Sequence, residues 1–163
     1  QTCALPIYIN NNGNATVTER WETDFNSDTE FFKAYNNLGN SSIINFSVTD
    51  ESGRLYEKIP EWDVNASFEE KAYKYGIRNT SDGIELCWGK SEYGERTYML
   101  QYEIVNLVMQ YTDAQGLYFN FLNLDQTVQV ATINIHSDMQ FSSANSKIWS
   151  FGNNGNISFI DGI

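Results

Sequence analysis

Residues 15–25 read ATVTERWETDF, and their side chains alternate between two kinds along the whole stretch. The odd positions form a mainly apolar set: Ala15, Val17, Glu19, Trp21, Thr23 and Phe25. A period of two with β-branched and aromatic residues predicts a strand that is buried on one face. Glu19 is the exception, because a carboxylate on such a face must be paired, hydrogen-bonded or protonated. We expect Glu19 to be a buried structural acid.

The same period recurs along the chain and predicts further strands. Residues 97–104, 42–50 and 83–89 alternate, with inward positions at Tyr98, Leu100, Tyr102 and Ile104; Ile44, Phe46 and Val48; and Ile84, Leu86 and Trp88. Residues 128–136 predict another strand, with a bulge near residues 131–132 where the alternation slips. Residues 147–151 and 156–160 predict two short late strands.

Turn sequences such as ESG, TSDG and EYG separate these segments. They predict hairpins over residues 42–59 and 83–102. Residues 67–75, SFEEKAYKY, begin with a Ser cap and two acids, so they favour a helical turn or a short strand. The sequence therefore predicts an all-β fold: an antiparallel β-sandwich of immunoglobulin or fibronectin type, with at most one short helical turn.

The first seven residues, QTCALPI, have a separate interpretation. Written as CAG ACG TGT GCT CTT CCG ATC, they resemble a common short-read sequencing adapter. The alternative is a natural first strand with core residues Ala4, Leu5 and Ile7. We expect residues 1–7 to be an adapter artefact and residues 8–163 to be a single β-sandwich domain cut from a longer protein. Cys3 is then not native.

The charge excludes some classes of partner. Ten Lys and Arg against 21 Asp and Glu give a formal net charge of −11. Such a field repels nucleic-acid phosphates, so we expect no nucleic-acid partner. It also disfavours an anionic membrane surface. No stretch reaches the ~20 apolar residues of a membrane helix, so we expect membrane attachment only through segments absent from this chain.

Two patterns resemble chemical sites without completing them. DFNSDTE, residues 24–30, spaces oxygen ligands as a calcium loop does, but Thr29 and Tyr35 replace the Gly and the bidentate Glu. Cys87 lacks a basic neighbour, and His136 lacks a His or Cys partner. We expect no catalytic residue, no metal and no cofactor.

Two alternatives remain beside a binding domain without catalysis. Trp62 follows Pro60 in a predicted loop, where an exposed ring could stack on a sugar, so Trp62 is the candidate for ligand contact in a carbohydrate-binding module. An acid-dependent hydrolase would need two carboxylates in one pocket, with Glu19 and Glu103 as the candidates.

A series of motifs resembles a known family. In order they are Gly13, VTERW at 17–21, TEF at 29–31, SVTDESG at 47–53, WD at 62–63, Ser67, the run 71–77, ELCWG at 85–89, TY at 97–98, Tyr102, Asn106 and Asp113. Over residues 8–136 the chain is similar to the N-terminal extracytoplasmic domain of domain-of-unknown-function family 2207, which comprises bacterial membrane proteins. VTE-x-W and the Tyr-rich strand are the more specific parts.

The resemblance implies a β-sandwich outside the cell, commonly in Gram-positive bacteria, with a leader before it and membrane helices after it. No catalytic residues can be transferred from the family. We therefore expect a non-enzymatic extracytoplasmic domain of a membrane protein, an interaction or sensory module whose partner is a protein or a glycan.

Overall fold

The computed structural model describes residues 2–122, 130–139, 141–151 and 157–159. Within them the elements are β1 (Thr2–Ile9), β2 (Ala15–Phe25), β3 (Glu30–Asn36), β4 (Ser42–Asp50), β5 (Glu57–Lys58), α1 (Phe68–Lys71), β6 (Lys74–Asn79), β7 (Gly83–Gly89), β8 (Gly94–Val105), β9 (Met109–Gln110), β10 (Gln115–Gly116) and β11 (Val130–Ser137).

Strands β2 and β8 form the centre of the larger sheet. They pair antiparallel from Ala15 opposite Ile104 to Phe25 opposite Gly94. The predicted alternation of both strands is confirmed, because their inward residues are buried: Ala15, Val17, Glu19, Trp21, Thr23, Tyr98, Leu100, Tyr102 and Ile104. A one-residue register slip would expose this whole set, so burial of one face fixes the pairing.

Two sheets pack face to face around an aromatic core. The larger has the order β11-β1-β2-β8-β4 and the smaller β3-β7-β6-β5, with a separate β9–β10 pair. Trp21 of β2 meets Trp88 of β7 edge to face, with ring centroids 5.0 Å apart. Phe31 of β3 stacks on Trp88 at 5.6 Å. The all-β, sandwich-like prediction is confirmed, although β1–β11 and β5–β6 are parallel pairs; immunoglobulin or fibronectin topology stays a prediction.

The hairpin predicted over residues 83–102 is wrong, whereas the one predicted over residues 42–59 is present only as a short antiparallel turn, in which the Tyr56 N–H donates to the Val48 carbonyl at 2.9 Å. Residues 83–89 lie in the smaller sheet, whereas β8, which follows them, lies in the larger. After the turn at residues 50–53, a single bridge joins Thr49 to Leu55, and β5 then pairs with β6 in the other sheet. Alternation tells which face of a strand is inward, but it does not tell which strand is the neighbour.

Three local predictions also differ from the structure. In β4 the buried residue is Ile43 rather than Ile44, because the register shifts between Ile44 and Ser47, where Asn45 has a positive φ of 55°. Strand β11 pairs with β1 without a register shift, so the bulge predicted at residues 131–132 is absent. Residues 147–151 form no strand, and 156–160 lie partly outside the described residues.

The predicted helical turn is α1. The Ser67 side chain accepts a hydrogen bond from the Glu70 backbone N–H, and the Glu70 carboxylate accepts one from the Ser67 backbone N–H. This reciprocal capping box stabilises a helix of a single turn. Lys71 is the last residue of this turn, three residues before β6 begins, and it belongs to a buried contact described below.

The first described residues form strand β1 between β2 and β11. Leu5 and Ile7 are fully buried, whereas Ala4 is exposed. The strand that the alternative interpretation of QTCALPI requires is therefore present. The origin of residues 1–7 and the domain limits of 8–163 stay predictions, because a foreign segment can also complete a sheet.

Candidate functional site

Glu19 lies between the two sheets with none of its side chain exposed. Its Oε2 accepts a hydrogen bond from the Trp21 indole N–H at 2.8 Å. Its Oε1 accepts from the Lys33 ammonium and from the Tyr102 hydroxyl. The carboxylate therefore has a counter-ion and donors on both oxygens, the condition under which a buried charge is tolerated.

Lys33 reaches Glu19 from the opposite sheet. It stands on β3 between Phe31 and Tyr35, at an inward position of that strand, and its side chain is 0 % exposed. Its Nζ lies 5.1 Å from the centroid of the Tyr35 ring and 3.4 Å from the Tyr102 hydroxyl. The Tyr35 and Tyr102 hydroxyls are hydrogen-bonded to each other. The ion pair thus joins β2 of one sheet to β3 of the other through a closed polar network.

Burial and charge act in opposite directions within this network. Burial alone would lower the pKa of the Lys33 ammonium, but Tyr35 and Glu19 raise it, and the balance lies above the ordinary value. Burial raises the pKa of Tyr35 to about 12. Burial also raises the pKa of Tyr102 well above its ordinary value, with Tyr35 and Glu19 adding to the effect. At neutral pH the Tyr35 and Tyr102 phenols are therefore neutral, and they flank the Lys33–Glu19 ion pair.

A second buried lysine fastens the loop before α1. Lys71 Nζ lies 2.8 Å from Glu30 Oε2 and donates to the Val64 carbonyl at 2.6 Å. The Trp62 indole N–H donates to the same Glu30 oxygen at 2.7 Å. Gly89 permits this approach, since a Cβ there would lie 1.9 Å from the Lys71 carbonyl oxygen. Sequence alternation does not reveal this contact, because three of its residues come from loops or helix ends.

The prediction that Trp62 is exposed is wrong, because Trp62 is buried and bonded to Glu30. The ring is only 4 % exposed and its N–H is committed to Glu30. Trp62 therefore offers no solvent-exposed face on which a sugar could stack. The large exposed aromatic rings of the described residues lie elsewhere, and they include Tyr118, Trp149 and Phe151.

A third buried lysine, Lys90, closes the end of the smaller sheet. Its Nζ donates to the Ser27 carbonyl at 2.6 Å and lies 4.4 Å from the centroid of the Phe31 ring and 5.0 Å from that of Phe25. Burial lowers the pKa of this ammonium, while the charges of Asp28 and Glu30 partly offset the shift. Two aromatic faces and a carbonyl stabilise the cation in place of a direct ion pair.

The acids proposed for hydrolysis do not converge. Glu19 points into the core, whereas Glu103 stands on the outer face of β8, opposite Thr16, and accepts a hydrogen bond from Asn45 at 2.9 Å. Of the suggested calcium ligands, Glu30 is paired with Lys71. Among the described residues, no group of three or more His, Cys, Asp and Glu side chains is arranged to hold a metal ion.

The thiols and the imidazole are also separate. Cys3 and Cys87 are both buried and free of disulfide. Burial raises the pKa of Cys3 to about 12 and that of Cys87 beyond it, the opposite of what a nucleophilic thiolate needs. His136 is exposed on β11 opposite Tyr8. The structure brings none of these groups into one site.

An open groove lies at one end of the β2–β8 pair. Its lining is mainly acidic: Glu22, Thr23, Asp24, Glu51, Glu95, Arg96 and Thr97. Arg96 lies 3.7 Å from Glu51 and also pairs with Glu92. These charges are partly exposed, so solvent screens them and each pair stabilises the fold only weakly.

The geometry defines a sandwich-like β domain whose Lys33–Glu19 ion pair is completely buried between the sheets. The chain belongs to the family described as predicted membrane protein (DUF2207) N-terminal domain, whose model matches residues 4–160. The family resemblance that the strand motifs indicated is thus confirmed, over a longer stretch than expected. Searches of curated proteins and of solved structures gave no match.

Within the part of the chain that the structure describes, no helix has both the length and the apolar character needed to cross a membrane.

Replacing Lys33 with Met should destabilise the fold strongly. The substitution keeps the apolar stem but leaves Glu19 as a buried charge without a counter-ion, which costs about 3–5 kcal/mol. The free energy of unfolding in urea measures the loss. The matched control is Arg20→Met, which breaks the Arg20–Glu22 pair whose side chains are 50 % and 45 % exposed, and it should cost under about 1 kcal/mol. Equal losses would contradict this account of Lys33.

Stability should fall as the pH rises above 10. The Tyr35 phenol has an ordinary pKa of 10.0 and a folded-state pKa of about 12, so in this window only the unfolded chain releases the proton. The stabilisation is complete below the lower value and is lost as the pH approaches the higher one. Melting temperatures by circular dichroism across this window check it. Tyr35→Phe should flatten the slope, whereas Tyr118→Phe, at a residue 82 % exposed, should leave it unchanged.

Proposed function

We propose that this chain is a non-enzymatic, extracytoplasmic domain of a bacterial membrane protein and that it serves as an interaction or sensory module. Membership in a family of membrane proteins supports the anchoring of the complete protein. The outward placement and the Gram-positive source are part of the proposal and rest on the resemblance described above. The partner is a protein or a glycan outside the cell.

The observation that carries the proposal is the complete burial of the Glu19–Lys33 network. General acid–base catalysis needs a titrating group within hydrogen-bond reach of a substrate. The carboxylate and ammonium with the closest contacts are instead enclosed between two sheets, and Glu103 stands on the outer face of the larger one. The surface, rather than a cleft, is then the part that meets a partner.

The surface has the chemistry of a binding domain in an aqueous space. Its net charge of −11 keeps the domain soluble and disfavours nucleic acid. Exposed aromatic rings such as Tyr118 and Trp149 offer contact area of the kind that is common at interfaces. A partner with a basic or neutral polar surface fits this combination better than an anionic one.

Binding of a carbohydrate is the second candidate, favoured by the exposed indole of Trp149. A glycan array probed with the purified chain decides it. If a glycan binds, we expect Trp149→Ala to weaken the signal and Ile148→Ala, at the neighbouring exposed residue, to leave it unchanged. An array without signal would remove this candidate in favour of a protein partner, and a signal indifferent to Trp149 would remove Trp149 as the contact.

Thiol labelling tests the outward placement. Both thiols of this chain are buried, so Tyr118→Cys in the intact gene product would introduce one accessible thiol into the domain. Intact cells should be labelled at residue 118 by a membrane-impermeant maleimide, and peptide mapping should find the same domain of the parent protein unlabelled. Labelling that appears only after lysis would place the domain inside the cell and overturn the proposal. A cytosolic protein with an exposed Cys serves as the integrity control.

A further inference from the structure

The Lys33 amine and the Glu19 carboxylate meet in a space that excludes solvent. Both side chains are 0 % exposed, and the contact joins strands of opposite sheets. The groups are an amine and an acyl donor held in one orientation by the hydrogen bonds of Trp21 and Tyr102 to Glu19 and by the Tyr35 ring, whose centroid lies 5.1 Å from Lys33 Nζ. Such fixed proximity can be equivalent to an effective molarity of about 10⁵–10⁸ M.

We propose that Lys33 and Glu19 condense to an amide, which covalently cross-links β2 to β3. The step starts when the ammonium passes one proton to Glu19 Oε1, leaving an amine beside a carboxylic acid. Lys33 Nζ then attacks the Glu19 Cδ, and the C=O electron pair moves onto Oε2. The nitrogen loses a second proton to Oε1, the Cδ–Oε1 bond breaks, and one water leaves as the Cδ=Oε2 bond reforms.

The neighbouring side chains suit each stage of this step. The Trp21 N–H lies 2.8 Å from Oε2, within the range of a donor that stabilises an oxyanion. The Tyr102 hydroxyl donates to Oε1 and lies 3.4 Å from Lys33 Nζ, so it can pass a proton from the nitrogen to the departing oxygen. The Tyr35 hydroxyl is hydrogen-bonded to Tyr102 and holds it in place.

The Lys71–Glu30 pair provides an internal comparison. Its atoms lie 2.8 Å apart, but the Glu30 side chain is 18 % exposed. Lys71 also donates to Thr29 at 2.9 Å and to the Val64 carbonyl at 2.6 Å. Water and these competing acceptors stabilise the ammonium, so this pair should stay ionic. The inference is therefore specific to the fully enclosed pair.

Mass spectrometry of the folded and then denatured chain tests the proposal. The intact mass should be lower than the sequence mass by one water. Trypsin should fail to cut after Lys33, because its amine is acylated. The peptide that ends at Arg20 should then be found joined to the peptide spanning residues 21–54, with fragment ions that place the link between Glu19 and Lys33.

Two variants make the result specific. Lys33→Met removes the amine and should abolish the linked peptide, whereas Lys71→Met should retain it. An Asp-Gly site such as Asp82–Gly83 can also lose water by forming a succinimide, but that loss leaves cleavage after Lys33 intact and persists in Lys33→Met. A wild-type chain that is folded by circular dichroism, has no linked peptide and is fully cleaved after Lys33 would overturn the inference.

Discussion

A carboxylate and an ammonium in a dry core are the constraint on which the rest of this fold depends. The free energy of removing two ions from water exceeds their mutual attraction unless every lone pair and proton has a hydrogen-bond partner. Glu19 and Lys33 meet that condition only when β2 and β3 face each other with Trp21, Tyr35 and Tyr102 in place. The network therefore selects one alignment of the two sheets, which apolar contacts alone would specify less sharply.

The function proposed here follows from where this chemistry lies. Three lysines are almost completely buried, and each holds a different junction: Lys33 joins the sheets, Lys71 fastens the loop before α1, and Lys90 closes the end of the smaller sheet. With these cations used internally, the surface that remains is strongly acidic. In the proposed function, this acidic surface is the part of the domain that contacts a partner.

Of the buried ion pair, the sequence analysis predicted Glu19 but not its partner Lys33. Alternation along β2 placed Glu19 inward and therefore required a partner, but the partner stands on another strand in another sheet. Lys33 could have been found from its inward position in FFKAY, between Phe31 and Tyr35. Trp62 could not, because loop residues have no periodicity, and its burial depends on Glu30 and on the close approach of α1 to Gly89.

By itself the sequence determined strands β2, β4, β7 and β8, most of their inward faces and the family, because side-chain parity and local turn chemistry are properties of neighbouring residues. Tertiary structure decided which strands are neighbours, as the placement of β7 and β8 in different sheets shows, and which groups meet across the core. Strand pairing and core contacts both join residues that are far apart along the chain. Such contacts form only when the two sheets bury their inner faces against each other.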